Sequence, residues 1–287
     1  MVRRSRSTVS PFGSRGGGSA KIRLVMGLVI AVIALCSYFG SSVYNPVTGE
    51  EQHLSLTPRQ EIALGLQSAP QMIQQYGGLY PDQELQNLVD RVGEKIVRES
   101  DAGQTEWQFE FHLLNDPETI NAFALPGGQV FITTALLSRF QTEGQLAGVL
   151  GHEIGHVVAR HSAQQIAKSE LTQGLIGGVV VAASDPNNPH SGAAAAQIAS
   201  VVGQLVNMKF GREDELQSDQ LGVRFMAEAG YDPRAMVAVM QILAEAGGGG
   251  RQPEFFSTHP NPENRLQRIQ EAIQAEFPNG VPEGLTP

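Results

Sequence analysis

The first pattern along the chain is an uninterrupted apolar one. Residues 24–39, Leu-Val-Met-Gly-Leu-Val-Ile-Ala-Val-Ile-Ala-Leu-Cys-Ser-Tyr-Phe, carry no charge, and the uncharged stretch runs on to Gly49. Leu24 to Tyr44 is 21 residues, enough for a helix to cross a hydrocarbon layer of about 30 Å. Asn45-Pro46 and Gly49 break it, and a linker is expected over 45–56. Thr57-Pro58-x-x-Glu61 then has the form of a helix start, with Thr57 as N-cap, Pro58 at the first helical position and Glu61 closing a capping box. That helix should run to about Tyr76, where Gly77-Gly78 stops it. Pro81 to about Glu99 places Leu85, Leu88, Val89, Val92 and Ile96 on one helical face.

The rhythm then changes to period two. Trp107 to Leu114 alternates apolar and polar residues, as a half-buried strand does, with His112 on its polar phase. Residues 121–128, Asn-Ala-Phe-Ala-Leu-Pro-Gly-Gly, and 129–133, Gln-Val-Phe-Ile-Thr, predict two short strands joined by a Pro-Gly-Gly turn. Pro126 confines the first to a strand end or a sheet edge. Helical spacing returns with a short helix over 133–140 and a long one from Thr142 to about Ser169. Two apolar, small-residue segments follow, 171–183 and 193–206, separated by a loop at 184–189. They are expected as a helical hairpin on the core, with dipping into a membrane surface as the alternative. The remaining helices are expected from Arg212, from Asp232-Pro233 to about Ala246, and from Glu263 to Phe277. Gly247–Gly250 forms a loop and 278–287 a tail. No tandem repeat appears. The pattern describes an α+β domain, mostly helical with one small sheet, over 57–277.

Charge divides the chain sharply. Residues 1–23 hold six basic residues and no acidic one, which leaves 14 basic against 29 acidic residues and a formal −15 over 24–287. The acidic body argues against a nucleic-acid partner. The basic head, expected to be disordered over 1–20, instead orients the apolar helix: residues 1–23 on the cytoplasmic side, the large domain on the periplasmic or extracytoplasmic side. A cleaved leader or an organelle transit peptide are the alternatives to a retained anchor over 24–44. Cys36 is the only cysteine, so any metal in the large domain must be held by histidine and carboxylate.

Candidate chemistry centres on His152-Glu153-Ile154-Gly155-His156. Two histidines four apart share a helical face and can reach one tetrahedral metal. Glu153 beside them can take a proton from an acidified water. The alternative is a core helix that happens to carry three such groups, at a high burial cost. Glu215 and Asp219 also share a face four apart. Alone they suit an acidic helix start. Beside His-Glu-x-x-His, Glu215 can supply a third metal ligand and Asp219 can hold a ligand histidine by its free ring N–H. His161, five after His156, is expected beside the site rather than as a ligand. His112, His190 and His259 are expected as surface or structural residues. The edge formed by Asn121, Ala122, Phe123 and Ala124 is either a plain hairpin or a place where an extended peptide adds as a strand.

These segments together resemble the HtpX-like zinc metallopeptidases, a gluzincin family that includes the CAAX prenyl endopeptidases and the Oma-type stress peptidases. The likeness covers roughly residues 54–275. It rests on the 121–128 segment, His152-Glu-Ile-Gly-His156-x-x-x-Arg160-His161, Glu215-x-x-x-Asp219-x-x-Gly222 and His259-Pro260. The resemblance implies a zincin-type domain with one zinc ion on His152, His156 and Glu215, and Glu153 as general base. It also implies that Asp219 orients a ligand and that His259 lies over the metal, assisting the oxyanion or covering the open site. Asn121–Ala124 would pair with substrate. Implied partners are misfolded or unfolded envelope proteins. A single anchor, where other branches have several transmembrane helices, places the chain nearer the Oma-type members. A catalytically latent chaperone or scaffold on the same fold, or a hydrolase of non-peptide bonds, are the competing readings.

Overall fold

The computed structural model describes residues 17–183, 209–247, 253–261 and 264–287. The expected tail over 1–16, the loop at 184–189 with His190, the helix over 193–206 and the glycine loop from Gly248 lie outside the described residues.

The apolar segment is one helix, α1 (Gly17–Phe39), beginning seven residues before the expected start. Its stretch Ala20–Phe39 is long and apolar enough to cross a membrane and is almost wholly exposed. The helix ends at Phe39, five residues before the expected Tyr44, and the last residues of the expected anchor fold together with the first part of the expected linker. Strands β1 (Ser42–Asn45) and β2 (Glu50–His53) pair antiparallel, and Asn45 and Gln52 are buried between the hairpin and the protein body. Period-two apolar patterning is absent because polar side chains dock this hairpin.

Helix α2 (Pro58–Gln75) starts at Thr57 as expected, but the box is closed by Gln60, whose side chain accepts from the Thr57 N–H. Glu61 is released from capping and turns inward. Helix α3 (Gln83–Glu99) is capped by Asp82, whose carboxylate accepts from the N–H of Glu84 and Leu85. It buries Val89, Val92 and Ile96, the face that its spacing marks out.

The main sheet has the order β3-β5-β4. Strand β3 (Glu110–Leu114) runs parallel to β5 (Gln129–Thr133), and β4 (Ala122–Ala124) lies antiparallel on the other side of β5. The regular strand starts only at Glu110, three residues after the expected Trp107. β5 is central and buried along its whole length. β4 is the edge. The turn before β5 needs glycine: Gly127 and Gly128 have φ of 83° and 117°, and a side chain at Gly127 would collide with the backbone of Ile62.

Helix α4 (Thr134–Leu137) is a single turn capped by Thr133. Helix α5 (Glu143–Val158) starts at Thr142 as expected, but it ends eleven residues early. Arg160 takes a left-handed conformation, φ 56°, and helix α6 (His161–Ala183) sets off in a new direction. The break has a clear cause. Arg160 donates through Nε to Glu61 Oε1 at 2.9 Å, and through Nη2 to the same oxygen and the Leu56 carbonyl. A continuous helix would aim that guanidinium elsewhere and leave Glu61 buried without its partner.

Helices α7 (Arg212–Glu228), α8 (Arg234–Gly247), the single turn α9 (Phe255–Thr258) and α10 (Arg265–Glu276) complete the described elements. The core gathers around α5 from α3, α7, α8, α10 and the sheet, with Leu146, Leu150, Ile154, Val223, Phe225 and Ile269 among its residues. The 278–287 stretch is no loose tail. Thr286 bridges to Tyr231, and the Pro287 carbonyl accepts from the first free N–H groups of α5 at Gly144, 2.7 Å away.

Candidate metal centre

Helix α5 is buried on every side, from Gly144 to Val158. Glycines let it sit there. A side-chain carbon on Gly155 would lie 3.0 Å from the Ser218 carbonyl, one on Gly151 3.3 Å from the Gly222 carbonyl, and one on Gly222 3.1 Å from the His152 nitrogen. α5 and α7 therefore meet backbone to backbone. That close approach carries Glu215 and Asp219, both on α7, up to the two α5 histidines.

The donors converge. One ligand atom from each of His152, His156, Glu215 and His259 falls within 4.8 Å of all the others, and all four residues are buried. His152 Nε2 and His156 Nε2 are 3.0 Å apart. Glu215 Oε1 lies 3.4 Å from His156 Nε2, and Oε2 lies 3.6 Å from His152 Nε2. His259 Nδ1 stands 3.1 Å from Glu215 Oε1 and 3.4 Å from His152 Nε2. A tetrahedral ion with bonds of about 2.0–2.2 Å has ligand–ligand edges of about 3.3 Å, so these spacings fit one.

Hydrogen bonding fixes which nitrogens face the cluster. His152 Nδ1 donates to Asp219 Oδ1 at 2.8 Å, which leaves its Nε2 as a lone pair. Gln217 Nε2 donates to Glu50 Oε2, so Gln217 Oε1 accepts from His161 Nε2 at 2.9 Å. His161 Nδ1 must then accept from His156 Nδ1, also 2.9 Å away. His156 Nε2 is thereby a lone pair too. Two lone pairs facing each other at 3.0 Å, beside a Glu215 Oε2 without a hydrogen bond, are reconciled by a shared cation. The residues fit a divalent metal.

Glu153 projects into the same space with both carboxylate oxygens buried and unpartnered. Burial pushes its pKa up, only partly offset by the charges of His259 and His152. His259 Nε2 is 3.6 Å from Glu153 Oε1. Burial alone would lower His259, but Glu215 and Glu153 outweigh it and raise its pKa. Burial drives His156 well below its usual value, keeping it neutral as a ligand must be. Burial alone would raise Glu215, yet His259 and His156 together hold it well below the carboxylate range.

Four participants, Arg265, Phe210, Gln217 and Glu50, carry no signal in the sequence pattern. Arg265, on α10, is almost fully buried. It donates through Nε to Asp219 Oδ2 at 2.7 Å and through Nη2 to Oδ1 at 2.9 Å, while Nη1 lies 3.1 Å from Glu215 Oε2, off the line of a hydrogen bond. Phe210 stacks on the His156 ring with centroids 4.0 Å apart. Gln217 and Glu50 close the hydrogen-bonded chain behind His156. His161 stands beside the site, touching a ligand candidate rather than the cluster. His112 is remote, stacked on Phe131 and hydrogen-bonded to Gln129.

The cleft between the cluster and the sheet edge is lined by Asn121, Phe123, Ala124, Tyr76, Phe210 and His259, and its free volume is only about 30 Å³, room for a water or two. A much larger cavity, about 720 Å³, lies elsewhere, between Tyr44, Leu56, Trp107 and Arg160 at the foot of α1.

A buried His-Glu-x-x-His helix completed by a carboxylate from a second helix is the donor set of a metal-dependent hydrolase. Residues 83–273 match the model of Peptidase family M48. The chain belongs to that family of metal-dependent peptidases, in agreement with the HtpX-like and Oma-type resemblance. It is similar to the beta-barrel assembly-enhancing protease of Escherichia coli (strain K12), 31% identical over 77% of this chain and 45% of the relative. It is also similar to the mitochondrial metalloendopeptidase OMA1 of Schizosaccharomyces pombe, 32% identical over 82% of this chain and 67% of the relative. The OMA1 of Arabidopsis thaliana is 32% identical over 57% of this chain and 31% of the relative. The chain thus spans a little under half the length of the assembly-enhancing protease.

Proposed function

We propose that the chain is a membrane-anchored zinc metalloendopeptidase acting on unfolded or misfolded proteins, in envelope protein quality control. The observation that carries this is the convergence of two deprotonated ring nitrogens, the Glu215 carboxylate and an unpartnered Glu153 in one buried centre. His152, His156 and Glu215 would hold one zinc ion. When bound, that ion supplies Lewis acidity, polarising the scissile carbonyl and acidifying a water. Glu153 takes the water's proton on a carboxylate that desolvation makes basic, and then delivers it to the leaving amine. Asp219 fixes His152 in the required tautomer. Asn121, Ala122, Phe123 and Ala124 present the β4 edge, which an extended peptide can join as a strand. Anchoring through the apolar part of α1, which ends at Phe39 rather than the expected Tyr44, would leave the basic head in the cytoplasm and the peptidase domain on the periplasmic side.

His259 Nδ1 stands at the fourth vertex of the donor set, and the cleft beside it has no room for a peptide. The described arrangement is therefore a resting state, in which His259 covers the position that water and substrate need. In an opened state the same side chain would assist the oxyanion. A permanently latent scaffold is the second reading, favoured by that closed cleft alone.

Zinc content and cleavage of an unfolded protein separate the two, measured on the full chain in detergent. Wild type should hold about one zinc per chain and cleave. Glu153→Gln should keep the metal and lose cleavage, and Glu215→Ala should lose both. A zinc-loaded wild type that remains inert even after His259→Ala would favour the scaffold. A folded chain that takes up no zinc would refute the metal centre.

A further inference from the structure

The apolar stretch 171–183 belongs neither to the core nor to the metal centre. It is the second half of α6, and α6 charges end at Lys168 and Glu170. Its neighbour is α1, which it meets antiparallel. At one level Ala167, Glu170 and Leu171 face Ser37, Tyr38 and Ser41. One turn further, a side-chain carbon at Gly174 would sit 2.6 Å from Ala34 Cβ, and another turn on, one at Gly178 would sit 2.6 Å from the Gly27 carbonyl oxygen. The two helices are in backbone contact along this stretch. On the outside, Ile176 is 58% and Val179 69% exposed, as apolar and bare as Leu28 and Val32 on α1.

We propose that residues 171–183 lie in the lipid bilayer beside α1, with lipid acyl chains as the partner of their outer face. The inference rests on the reading of α1 as a membrane anchor and adds a second embedded helix to it. Given that anchor, depth follows from packing. The 20 residues of Ala20–Phe39 span about 30 Å at 1.5 Å per residue, which matches the hydrocarbon layer. A helix packed against it at about 8–10 Å between axes shares its depth. Glu170 is level with Tyr38 at the membrane surface, so the residues that follow reach about 20 Å into the apolar layer. The contact has the composition that suits such a medium. Where lipid is as apolar as the side chains, close backbone approach through Gly and Ala holds helices together.

The consequence reaches the metal centre. α6 starts at His161, which touches His156, and nine residues later Glu170 is at the membrane surface. At 1.5 Å per residue the centre is held within about 15 Å of the bilayer. The centre is thereby within reach of chains lying on, or emerging from, the membrane.

The test uses the full chain with Cys36→Ser, carrying one environment-sensitive dye per variant through Val29→Cys on α1, Ile176→Cys or Val179→Cys on α6, or Glu84→Cys on exposed α3. Each is reconstituted in vesicles of ordinary phospholipid or of phospholipid brominated on its acyl chains, and iodide serves as the aqueous quencher. The proposal expects dyes at 29, 176 and 179 to be quenched by bromolipid and spared by iodide, and the dye at 84 to show the reverse. Quenching of 176 and 179 by iodide, or by neither agent, while 29 still responds to bromolipid would overturn the second helix and leave the anchor intact. If 29 also responds only to iodide, the anchor reading fails and takes this inference with it.

Discussion

Removing the Arg265 guanidinium should damage the centre without touching a metal ligand. The side chain is 1% exposed, and it donates twice to Asp219 while standing 3.1 Å from Glu215. Arg265→Met keeps much of the volume and strips both carboxylates of their fixed positive partner. Breaking a buried ion pair from one side costs about 3–5 kcal/mol, because the remaining charge stays desolvated. In a domain of this size that amounts to a fall in Tm of roughly 8–15 °C. The double variant Arg265→Met with Asp219→Asn removes one of the two stranded charges as well. It should recover about 2 kcal/mol of the loss, the coupling expected of side chains in direct contact. Thermal and urea unfolding in detergent, with metal chelated, give both numbers. A loss below about 1 kcal/mol for Arg265→Met, or strict additivity in the double variant, would show that the guanidinium is not what balances these carboxylates.

Other expectations follow from the same geometry. Burial raises Glu61 to about 7 against the opposing pull of Arg160, with Glu106 adding to the rise. A folded carboxyl that holds its proton more tightly than the unfolded one contributes stability in full below pH 4.5 and loses it as pH climbs through 7. Wild type should therefore lose about 3 kcal/mol relative to Glu61→Gln between pH 4.5 and 8, read from urea midpoints; a wild type that gains over that range would mean the Arg160 pairing dominates. Gln217→Leu should weaken zinc binding about 10–100-fold in a chelator competition by freeing His161 and so His156, and an unchanged affinity would remove that chain from any role in orienting the ligand. Gly155→Val, whose Cβ would meet the Ser218 carbonyl at 3.0 Å and force α7 away, should cost about 1–3 kcal/mol and lower metal affinity along with stability. Retention of full affinity would show that the Glu215 position does not depend on that contact.

Much of the fold is legible in the pattern because its rules are local. The α3 stripe, the Thr57, Thr133 and Thr142 caps and the glycine turn at 127–128 each express themselves within a few residues. His152, Glu153 and His156 are legible for the same reason, since one helical turn brings them together. Glu215 and Asp219 are legible only as a pair that suits that turn. Arg265 is not legible at all: on an amphipathic helix an arginine reads as solvated, and only the packing of α10 against α7 turns it inward. Glu61 shows the converse error. Thr57-x-x-x-Glu61 invites capping, but Gln60 sits one position closer and does it, which frees Glu61 for Arg160. That pairing ends α5 where periodicity alone would continue it. The 42–53 hairpin is hidden because it docks through Asn45 and Gln52, which donate to the Val158 and Ala159 carbonyls at the end of α5. Amide side chains that replace a helix's missing hydrogen bonds leave no hydrophobic rhythm behind.

Charge gives the last reason to expect a cation in this centre. Among the described residues, Glu153, Glu215 and Asp219 are buried around it, and Arg265 is the one guanidinium that meets them. Three carboxyl groups thus face one guanidinium in a space that water hardly enters. A buried charge without a partner costs several kcal/mol, more than a domain can spare twice over. The neighbouring Glu61–Arg160 pair closes on itself and offers nothing. A divalent ion on His152, His156 and Glu215 would oppose that excess at the point where a Glu215 oxygen without a hydrogen bond and both ring lone pairs converge. The same ion leaves Glu153 as a carboxylate that no donor restrains, which is the condition for it to act as a base.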